Sequence, residues 1–510
     1  MKAGKRGKVF LVGAGPGDPG LMTLKGLDCL RQADVVVYDR LLDDRILHEV
    51  HPGAEKIYVG KSAQHHSLEQ EEINRLLVKK AQQGKMVVRL KGGDPFVLGR
   101  GGEEAQVLAE AGVSFEVVPG ISAAVAVPAY AGIPVTHRHL ASSFAVITGH
   151  KAVDHKDSDI AWDELSTGAD TLVFLMAVEN LAYVVDRLLE NGRPSATPAA
   201  VIADGTSHRQ RTVVGRLGGI VSQARKAGIQ PPAVLVVGEV VRLREHLRWF
   251  DNCPLFGKRV LITRPRHQAG QFSRLLLKCS AAPVEIPVIK IKPSPVPAKL
   301  EQAILGLKDY QWIIFTSVNG VDAFFNQLDA LDLDARWLYG LRLGAIGPAT
   351  ARALESRGLR ADCVPEKYTT PGLLAQLMQY GMAGSRVLLP RADIAGKQLS
   401  SGLVRMGAEV REVIAYRTTP DSDGASQAKE MLSAGEIDII TFTSASTVTN
   451  LVKAVDKDIE TLNKAVIACI GPETVSAAAS AGLRVDIVAR KHTLPGLIEA
   501  MEQYFQKGEK

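Results

Sequence analysis

The second half of the chain contains an internal repeat, and this repeat constrains the fold more than any other feature of the sequence. Four motifs occur twice in the same order, roughly 125 residues apart. The pairs are GKRVLITRP and GSRVLLPRA, WIIFTSVNGV and DIITFTSAST, GAIGPATARAL and ACIGPETVSAA, and KYTTPGLLAQL and KHTLPGLIEAM. Each copy alternates short apolar runs with helical patterns, which is typical of α/β units. The repeat therefore predicts a duplicated α/β lobe of about 125 residues, and hence a bilobed domain with a cleft.

The first half of the chain predicts a different α/β arrangement, with glycine-rich loops at the ends of its strands. KVFLV (8–12) has the composition of a short buried strand, GAGPGDPG (13–20) that of a loop, and ADVVVYD (33–39) that of the next strand. The loop departs from the GxGxxG pattern of dinucleotide-binding folds, because Asp18 stands at the position of the third glycine and would repel a pyrophosphate. This disfavours a nicotinamide cofactor and favours an uncharged or cationic nucleoside-like ligand, such as S-adenosylmethionine with its sulfonium group.

A second glycine-rich stretch, RLKGGDPFVLGRGGEE (89–104), follows the apolar run KMVVRL (85–90). Glycine is favoured where the backbone needs a positive φ or must approach a ligand closely, so this stretch predicts a binding loop at the carboxyl end of a parallel strand. The alternative is an ordinary turn of an α/β domain. Glu103 and Glu104 are typical of first-turn helix carboxylates, which the helix dipole favours.

Composition disfavours several classes of protein. The net charge is only +6 and aromatic residues make up 5% of the chain, which is too little to argue for nucleic-acid binding. The sequence contains no run of about 18 apolar residues, so we expect no membrane span, and the basic amino terminus lacks the apolar region of a signal peptide. Five dispersed cysteines without CxxC spacing predict a reducing cytoplasm, and neither a disulfide framework nor a metal site.

Nine motifs of the first half together carry a family resemblance. In chain order they are GAGPGDPG, VVVYDR, VGK, QEEIN, VVRLKGGDPF, GRGGEE, VVPGISA, AYAGIPVTHR and TGH. From about Lys8 to Phe250 the chain resembles the uroporphyrinogen-III C-methyltransferases, enzymes of the tetrapyrrole methylase superfamily that use S-adenosylmethionine. The resemblance implies a fold of two α/β domains with the ligand in the cleft between them, and a homodimer.

The same resemblance implies roles for individual residues. Cofactor contacts are expected at nine positions: Pro16, Gly92, Gly93, Asp94, Val97, Ser122, Ala123, Met176 and Gly205. Asp39 matches a proposed proton acceptor and Lys61 a proposed proton donor, because a pyrrole carbon that attacks a sulfonium methyl group must afterwards lose a proton. From the residues alone, Asp39 could equally cap a turn at a strand end, and Lys61 could be a solvated lysine or a clamp for a substrate carboxylate.

The tetrapyrrole substrate of this family carries eight carboxylates, so cationic side chains are expected along the cleft that binds it. The candidates are Arg100, His137, Arg138 and His150. The alternative for each of them is a surface charge or a histidine with a purely structural hydrogen bond.

Residues 257–510 resemble uroporphyrinogen-III synthase, through ITRP, IIFTSVNGV, IGPATA, VIAYRT and the FTSAST–IGPET pair. The resemblance implies dehydration and cyclisation of hydroxymethylbilane with inversion of its last ring, in which one weak acid helps water to depart. Tyr416 matches that acid, and by charge alone Arg264 and Arg391 are candidate carboxylate anchors. Five further positions match residues near the product carboxylates: Thr316, Ser317, Thr350, Thr443 and Ser444. The alternatives are packing for Tyr416, and turn or helix-cap roles for the serines and threonines.

The sequence therefore predicts a bifunctional α/β enzyme in three segments: a methyltransferase at 1–250, a linker at 251–256 and a bilobed synthase at 257–510. It would cyclise hydroxymethylbilane to uroporphyrinogen III and methylate that product twice, with two molecules of S-adenosylmethionine, to precorrin-2 in the branch to sirohaem and cobalamin. One alternative is a methylase fused to a non-catalytic bilobed binding domain. Another is a methylase of the same superfamily that acts on a different target.

Overall fold

The computed structural model describes most of the chain, namely residues 7–39, 42–60, 69–149, 160–263 and 266–507. Three residues that the sequence singles out, Lys61, His150 and Arg264, lie outside these ranges.

The chain divides into two compact units. The first comprises residues up to Lys258 together with Leu277–Ala282, and the second comprises Arg259–Leu276 together with the residues from Pro283 onward. Each unit contains two five-stranded sheets within its described residues. In that same part of the chain, no helix is both long and apolar enough to span a bilayer.

The first sheet of the first unit is parallel throughout, with strand order β3-β2-β4-β1-β5. Its strands are β1 Lys8–Gly13, β2 Val35–Tyr38, β3 Glu55–Tyr58, β4 Met86–Lys91 and β5 Ser114–Val118. The crossovers contain helices Leu24–Gln32, Gln70–Gln82 and Gly101–Glu110. Apolar residues of these strands are buried on both faces of the sheet, which explains why the strands read as continuous apolar runs. Because the strands are parallel, their carboxyl ends and the glycine-rich loops meet at one edge.

The second sheet of this unit is mixed, with strand order β6-β7-β10-β8-β9, in which β6 and β7 pair in parallel and the others antiparallel. Its strands are β6 Phe144–Thr148, β7 Thr171–Leu175, β8 Pro198–Ala203, β9 Arg211–Arg216 and β10 Ala233–Val237. The helices of this part are Ala123–Tyr130, Trp162–Gly168, Leu181–Glu190, Ile220–Lys226 and Arg244–Leu247. All of β8 is buried, because apolar clusters cover both faces of the sheet.

The second unit is bilobed, as the repeat predicts. One sheet has the order β12-β11-β18-β19-β20, with β11 Arg259–Ile262, β12 Ala282–Glu285, β18 Ile439–Phe442, β19 Val466–Cys469 and β20 Ile487–Val488. The other has the order β13-β17-β16-β14-β15, with β13 Ile289–Pro293, β14 Trp312–Phe315, β15 Arg342–Ala345, β16 Arg386–Ala392 and β17 Glu409–Pro420. The helices are Arg266–Lys278, Pro297–Leu305, Val318–Ala330, Pro348–Glu355, Thr370–Met378, Gln398–Arg405, Ser422–Ser433, Ala445–Ala454, Ile459–Leu462, Pro472–Ser480 and Leu494–Lys507.

The two lobes exchange parts of the sequence repeat. The first copy supplies β11 and β12 to one sheet and β14 and β15 to the other. The second copy supplies β16 and β17 to the sheet that contains β14 and β15, and it supplies β18 and β19 to the sheet that contains β11 and β12. Each lobe therefore combines strands from both copies of the repeat. We call the lobe of β13–β17 the continuous lobe, since it occupies one stretch of chain, and the lobe of β11, β12 and β18–β20 the discontinuous lobe.

The exchange predicts which fragments of the second unit can fold. The segment 289–420 contains all strands of the continuous lobe and both of its apolar clusters, so we expect it to unfold cooperatively when it is expressed alone. The segment 258–384 has a similar length but carries strands of two different sheets, and should remain unfolded. Circular dichroism and chemical denaturation of the two fragments distinguish these outcomes, and cooperative unfolding of 258–384 would contradict the exchange.

Candidate active sites

A cavity of about 930 Å³ lies in the first unit, where the loops after β1, β2 and β4 face loops of the second sheet. All nine residues expected to contact a cofactor line it: Pro16, Gly92, Gly93, Asp94, Val97, Ser122, Ala123, Met176 and Gly205. The expected proton acceptor Asp39 lines it as well, at the carboxyl end of β2. These residues come from six separate parts of the chain, and the fold brings them to one surface.

The loop after β4 is held in place by the side chain of Asp94. Its Oδ1 accepts hydrogen bonds from the backbone N–H groups of Phe96 at 2.8 Å and Val97 at 3.1 Å, and its Oδ2 accepts from Gly120 N at 3.0 Å. Gly93 has φ +70°, and a Cβ on Gly120 would come within 2.3 Å of the Gly93 carbonyl oxygen. The glycines therefore permit a close contact of backbones that any side chain would prevent.

Backbone strain is concentrated around the same cavity. Leu98, Met176 and Asp204 line it, and each has a positive φ, between 47° and 57°. Non-glycine residues in this region cost free energy and persist where the surrounding structure fixes them, which is common at ligand-binding sites.

A buried ionic network adjoins Asp39. Glu104 is fully buried, and its Oε1 accepts hydrogen bonds from Arg89 Nε at 3.1 Å and from Lys91 Nζ at 2.8 Å. Arg89 Nη2 in turn lies 3.3 Å from Asp39 Oδ2. Burial, aided by the positive charge of Arg89, lowers the pKa of Lys91, while Glu104 opposes this shift. Arg89 thus connects the proposed proton acceptor to a buried carboxylate.

Sequence reasoning missed most of this network. It treats Glu103 and Glu104 alike as first-turn carboxylates, and both do lie in the first turn of helix Gly101–Glu110. Glu103 is exposed and pairs with Arg100 at 2.7 Å, whereas Glu104 is the buried counter-ion of Arg89 and Lys91. The available signal was the pair of cations within the apolar run of β4, since a buried cation requires a carboxylate nearby.

The expected substrate cations lie elsewhere. Among described residues, those that line the cavity do not include Arg100, His137 or Arg138. The guanidinium of Arg100 is engaged by Glu103, and His137 Nδ1 accepts a hydrogen bond from the His139 backbone N–H at 3.4 Å. The lining does include Arg209, which the sequence did not single out.

In the continuous lobe, Tyr416 is buried near the ends of β14 and β16. Its hydroxyl lies 3.0 Å from Ser317 Oγ. Burial raises the pKa of Tyr416, although hydrogen bonds with Ser317 and Asn319 act in the opposite direction. Ser317 also caps helix Val318–Ala330, because its Oγ accepts from Gly320 N at 3.0 Å. The expected acid is therefore hydrogen-bonded to an expected substrate-binding residue.

The remaining expected residues of this half follow strand ends or lie within helices. Thr316 and Thr443 come directly after β14 and β18, and Thr350 is buried in helix Pro348–Glu355. Ser444 repeats the cap of Ser317, with nearly the same backbone angles, at the start of helix Ala445–Ala454. The helix-cap alternative thus describes what both serines do in the structure.

Arg391 is buried at the end of β16. Its Nη1 lies 3.1 Å from Glu412 Oε1 and its Nη2 donates to the Gly396 carbonyl oxygen at 2.6 Å. Two sides of the guanidinium are therefore engaged within the lobe itself.

Comparison with known proteins finds a different family in each half of the chain. Residues 8–221 match the family model of tetrapyrrole (corrin/porphyrin) methylases, and residues 270–499 match that of uroporphyrinogen-III synthase HemD. The porphyrin biosynthesis protein HemD of Ruminiclostridium josui is 41% identical over 497 residues, which is 98% of each chain. The chain belongs to these two families, one in each half.

Relatives of the methylase half are closer in sequence. The uroporphyrinogen-III C-methyltransferase of Priestia megaterium is 54% identical over 235 residues, 46% of this chain and 98% of its own. A crystal structure of uroporphyrin-III C-methyl transferase from Thermus thermophilus, complexed with S-adenosylhomocysteine, has 42% sequence identity and a TM-score of 0.41, and covers 46% of this chain and 99% of its own.

The buried network of the methylase half can be tested through Glu104. Glu104→Gln removes the negative charge of the buried carboxylate that contacts both Arg89 and Lys91, so it should lower the free energy of unfolding by about 3 kcal/mol. Glu103→Gln is the matched control, because it removes the adjacent but exposed carboxylate and should cost less than about 1 kcal/mol. Chemical denaturation of the full chain gives both values, and equal effects would contradict the role of Glu104.

Proposed function

We propose that the chain is a bifunctional enzyme of tetrapyrrole biosynthesis. Its synthase half cyclises hydroxymethylbilane to uroporphyrinogen III with inversion of ring D, and its methylase half transfers two methyl groups from S-adenosylmethionine to give precorrin-2. The observation that carries the methyl-transfer half of the proposal is the single cavity that collects all nine expected cofactor residues and Asp39. The two family models, which match residues 8–221 and 270–499, support the presence of both activities in one chain.

The residues that line the cavity fit S-adenosylmethionine. The volume of about 930 Å³ is within the range of small-molecule sites. The nearest atom to a Cβ built on Gly93 would be Ala123 N, at 3.8 Å. The space beside the Gly93 backbone is therefore open to a ligand. Apolar Val127 and Met176 and the carboxylates of Asp39 and Asp204 also line the cavity, which suits a cationic ligand with an apolar portion. When bound, S-adenosylmethionine supplies an electrophilic methyl group.

Asp39 is proposed to accept the proton that the macrocycle releases after methylation. Its carboxylate lies at the cavity and is held 3.3 Å from the guanidinium of Arg89, which fixes its orientation. Lys61, outside the described residues, remains the proposed proton donor. Arg100, His137 and Arg138 remain proposed contacts for the carboxylates of the macrocycle.

Tyr416 is proposed to donate a proton to the departing hydroxyl of hydroxymethylbilane. Its raised pKa keeps the phenol protonated at neutral pH, and Ser317 orients the phenolic oxygen. The residues proposed to contact substrate or product are Thr316, Ser317, Thr350, Arg391, Thr443 and Ser444.

We further propose a cytoplasmic homodimer, with sirohaem or cobalamin as the end product.

The two activities can be measured separately on the purified chain. Hydroxymethylbilane alone should give uroporphyrinogen III, and addition of S-adenosylmethionine should give a dimethylated product. Formation of only the type I ring isomer without cofactor would contradict the synthase assignment. Failure to methylate authentic uroporphyrinogen III would contradict the methyltransferase assignment.

Single substitutions should separate the two sites. Asp39→Asn keeps the shape of the side chain but removes the base, so methyl transfer should fall about a hundredfold while cyclisation is unchanged.

Tyr416→Phe removes the acid and should slow cyclisation by about the same factor while methyl transfer is unchanged. Tyr310→Phe is the matched control, because Tyr310 is buried in the same apolar cluster as Tyr416. Loss of both activities in either variant would contradict the assignment of separate sites.

A further inference from the structure

A closed ring of hydrogen bonds links three segments around the cavity of the methylase half. The Tyr130 hydroxyl donates to Asp18 Oδ2 at 2.7 Å, and Asp18 N donates to Thr206 Oγ1 at 3.1 Å. Thr206 N donates to Gln210 Oε1 at 2.9 Å, and Gln210 Nε2 returns to the Tyr130 carbonyl oxygen at 3.2 Å. Thr206 and Gln210 are each 3% exposed, and Asp18 and Tyr130 are half-buried.

The members of the ring adjoin the cavity wall rather than form it. Pro16 and Gly17 precede Asp18, and Gly205 and Ser207 flank Thr206; these four neighbours line the cavity. Thr206 Oγ1 also donates to the Pro16 carbonyl oxygen at 3.3 Å. Tyr130 ends the helix whose first residue, Ala123, lines the cavity too. The ring therefore fixes the separation of two cavity-lining loops, one after β1 of the first sheet and one after β8 of the second.

A second contact joins this ring to the segment that follows the last strand of the methylase half. The ring of Tyr130 packs edge-on against Trp249, with 4.9 Å between centroids, and against Phe250 at 4.7 Å. Trp249 Nε1 donates to the Ala129 carbonyl oxygen at 3.0 Å. Phe250 continues the aromatic contacts to Phe256 at 5.5 Å.

Ion pairs hold the same segment in place. Arg244 Nη2 lies 2.5 Å from Asp251 Oδ2, and Arg248 Nε lies 3.2 Å from Asp251 Oδ1. Both Arg244 and Asp251 have largely buried side chains, and Leu255 is fully buried. The residues 248–256, part of which the sequence predicts as a linker, are thus folded against Tyr130 and its neighbours.

We propose that Tyr130 is a positioning residue for the cofactor and that residues 248–256 act on cofactor affinity through it. The inference rests on the proposed methyl transfer and gives a role to Tyr130 and Asp18, which lie in the motifs AYAGIPVTHR and GAGPGDPG but are not among the expected cofactor contacts. Removing the Tyr130 hydroxyl leaves Asp18 without its side-chain donor and loosens the Pro16–Gly17 wall against Thr206. Removing the Trp249 ring has the same consequence by a different route, since Tyr130 loses one of its two aromatic packing partners.

The test uses the full chain and S-adenosylhomocysteine as the probe in isothermal titration calorimetry. Tyr130→Phe should raise the dissociation constant about tenfold, the size expected for loss of one hydrogen bond to a carboxylate. The KM for S-adenosylmethionine should rise by a similar factor, while kcat and the KM for uroporphyrinogen III stay unchanged. Tyr183→Phe is the matched control, because Tyr183 packs on Trp162 in the same unit.

Two further variants separate positioning from general loss of structure. Asp18→Asn combined with Tyr130→Phe should weaken binding no more than the stronger single variant, since both act through one hydrogen bond. Trp249→Ala should weaken binding, and Trp249→Phe should restore it by returning an aromatic ring.

The outcomes are distinguishable. If the unmodified chain binds no S-adenosylhomocysteine, the proposed methyl transfer fails and this inference fails with it. If the unmodified chain binds the probe and Tyr130→Phe binds it equally well, the inference alone is overturned. A parallel fall in kcat and rise in both KM values would also overturn it, because that pattern indicates damage to the fold.

Discussion

Parallel pairing of strands is the constraint on which both proposed sites depend. A parallel strand must be followed by a crossover, so β1–β5 all end at one edge and deliver their loops there. Pro16, Asp39 and Gly92 reach one cavity for this reason, although they follow three different strands. The same geometry operates in the continuous lobe, where β14 and β16 are parallel neighbours and their ends lie near Tyr416.

A site at such an edge is only as well defined as the elements behind it. Asp39 faces the cavity, but its orientation depends on Arg89, and Arg89 depends on a carboxylate that no solvent reaches. Arg89 and Lys91 could not be buried on a sheet face without Glu104, because an uncompensated internal charge costs several kcal/mol. The interior of the first sheet and the chemistry at its rim are therefore stabilised by the same ion pairs.

The sequence predicted the parts of the structure that local patterns encode. Glycine-rich loops after apolar runs located the edge of the first sheet, and the family resemblance singled out Pro16, Gly93 and Met176, which line the cavity. The contacts that escaped prediction depend on residues distant in the chain. Asp18 was interpreted only by its charge in a loop, whereas its contact with Tyr130 spans more than a hundred residues. The pairing of Arg391 with Glu412 likewise arises only when β16 and β17 align.

The repeat illustrates the same limit on a larger scale. Matching motifs established that two equivalent lobes exist, but equivalence does not say which copy of a strand occupies which sheet. The exchange has a consequence for the order of events as the chain is made. The strands of the continuous lobe emerge from the ribosome in one uninterrupted stretch, so its sheet can form at once. β11 leaves the ribosome long before its neighbour β18, and must wait through the whole synthesis of the other lobe before it can pair with it.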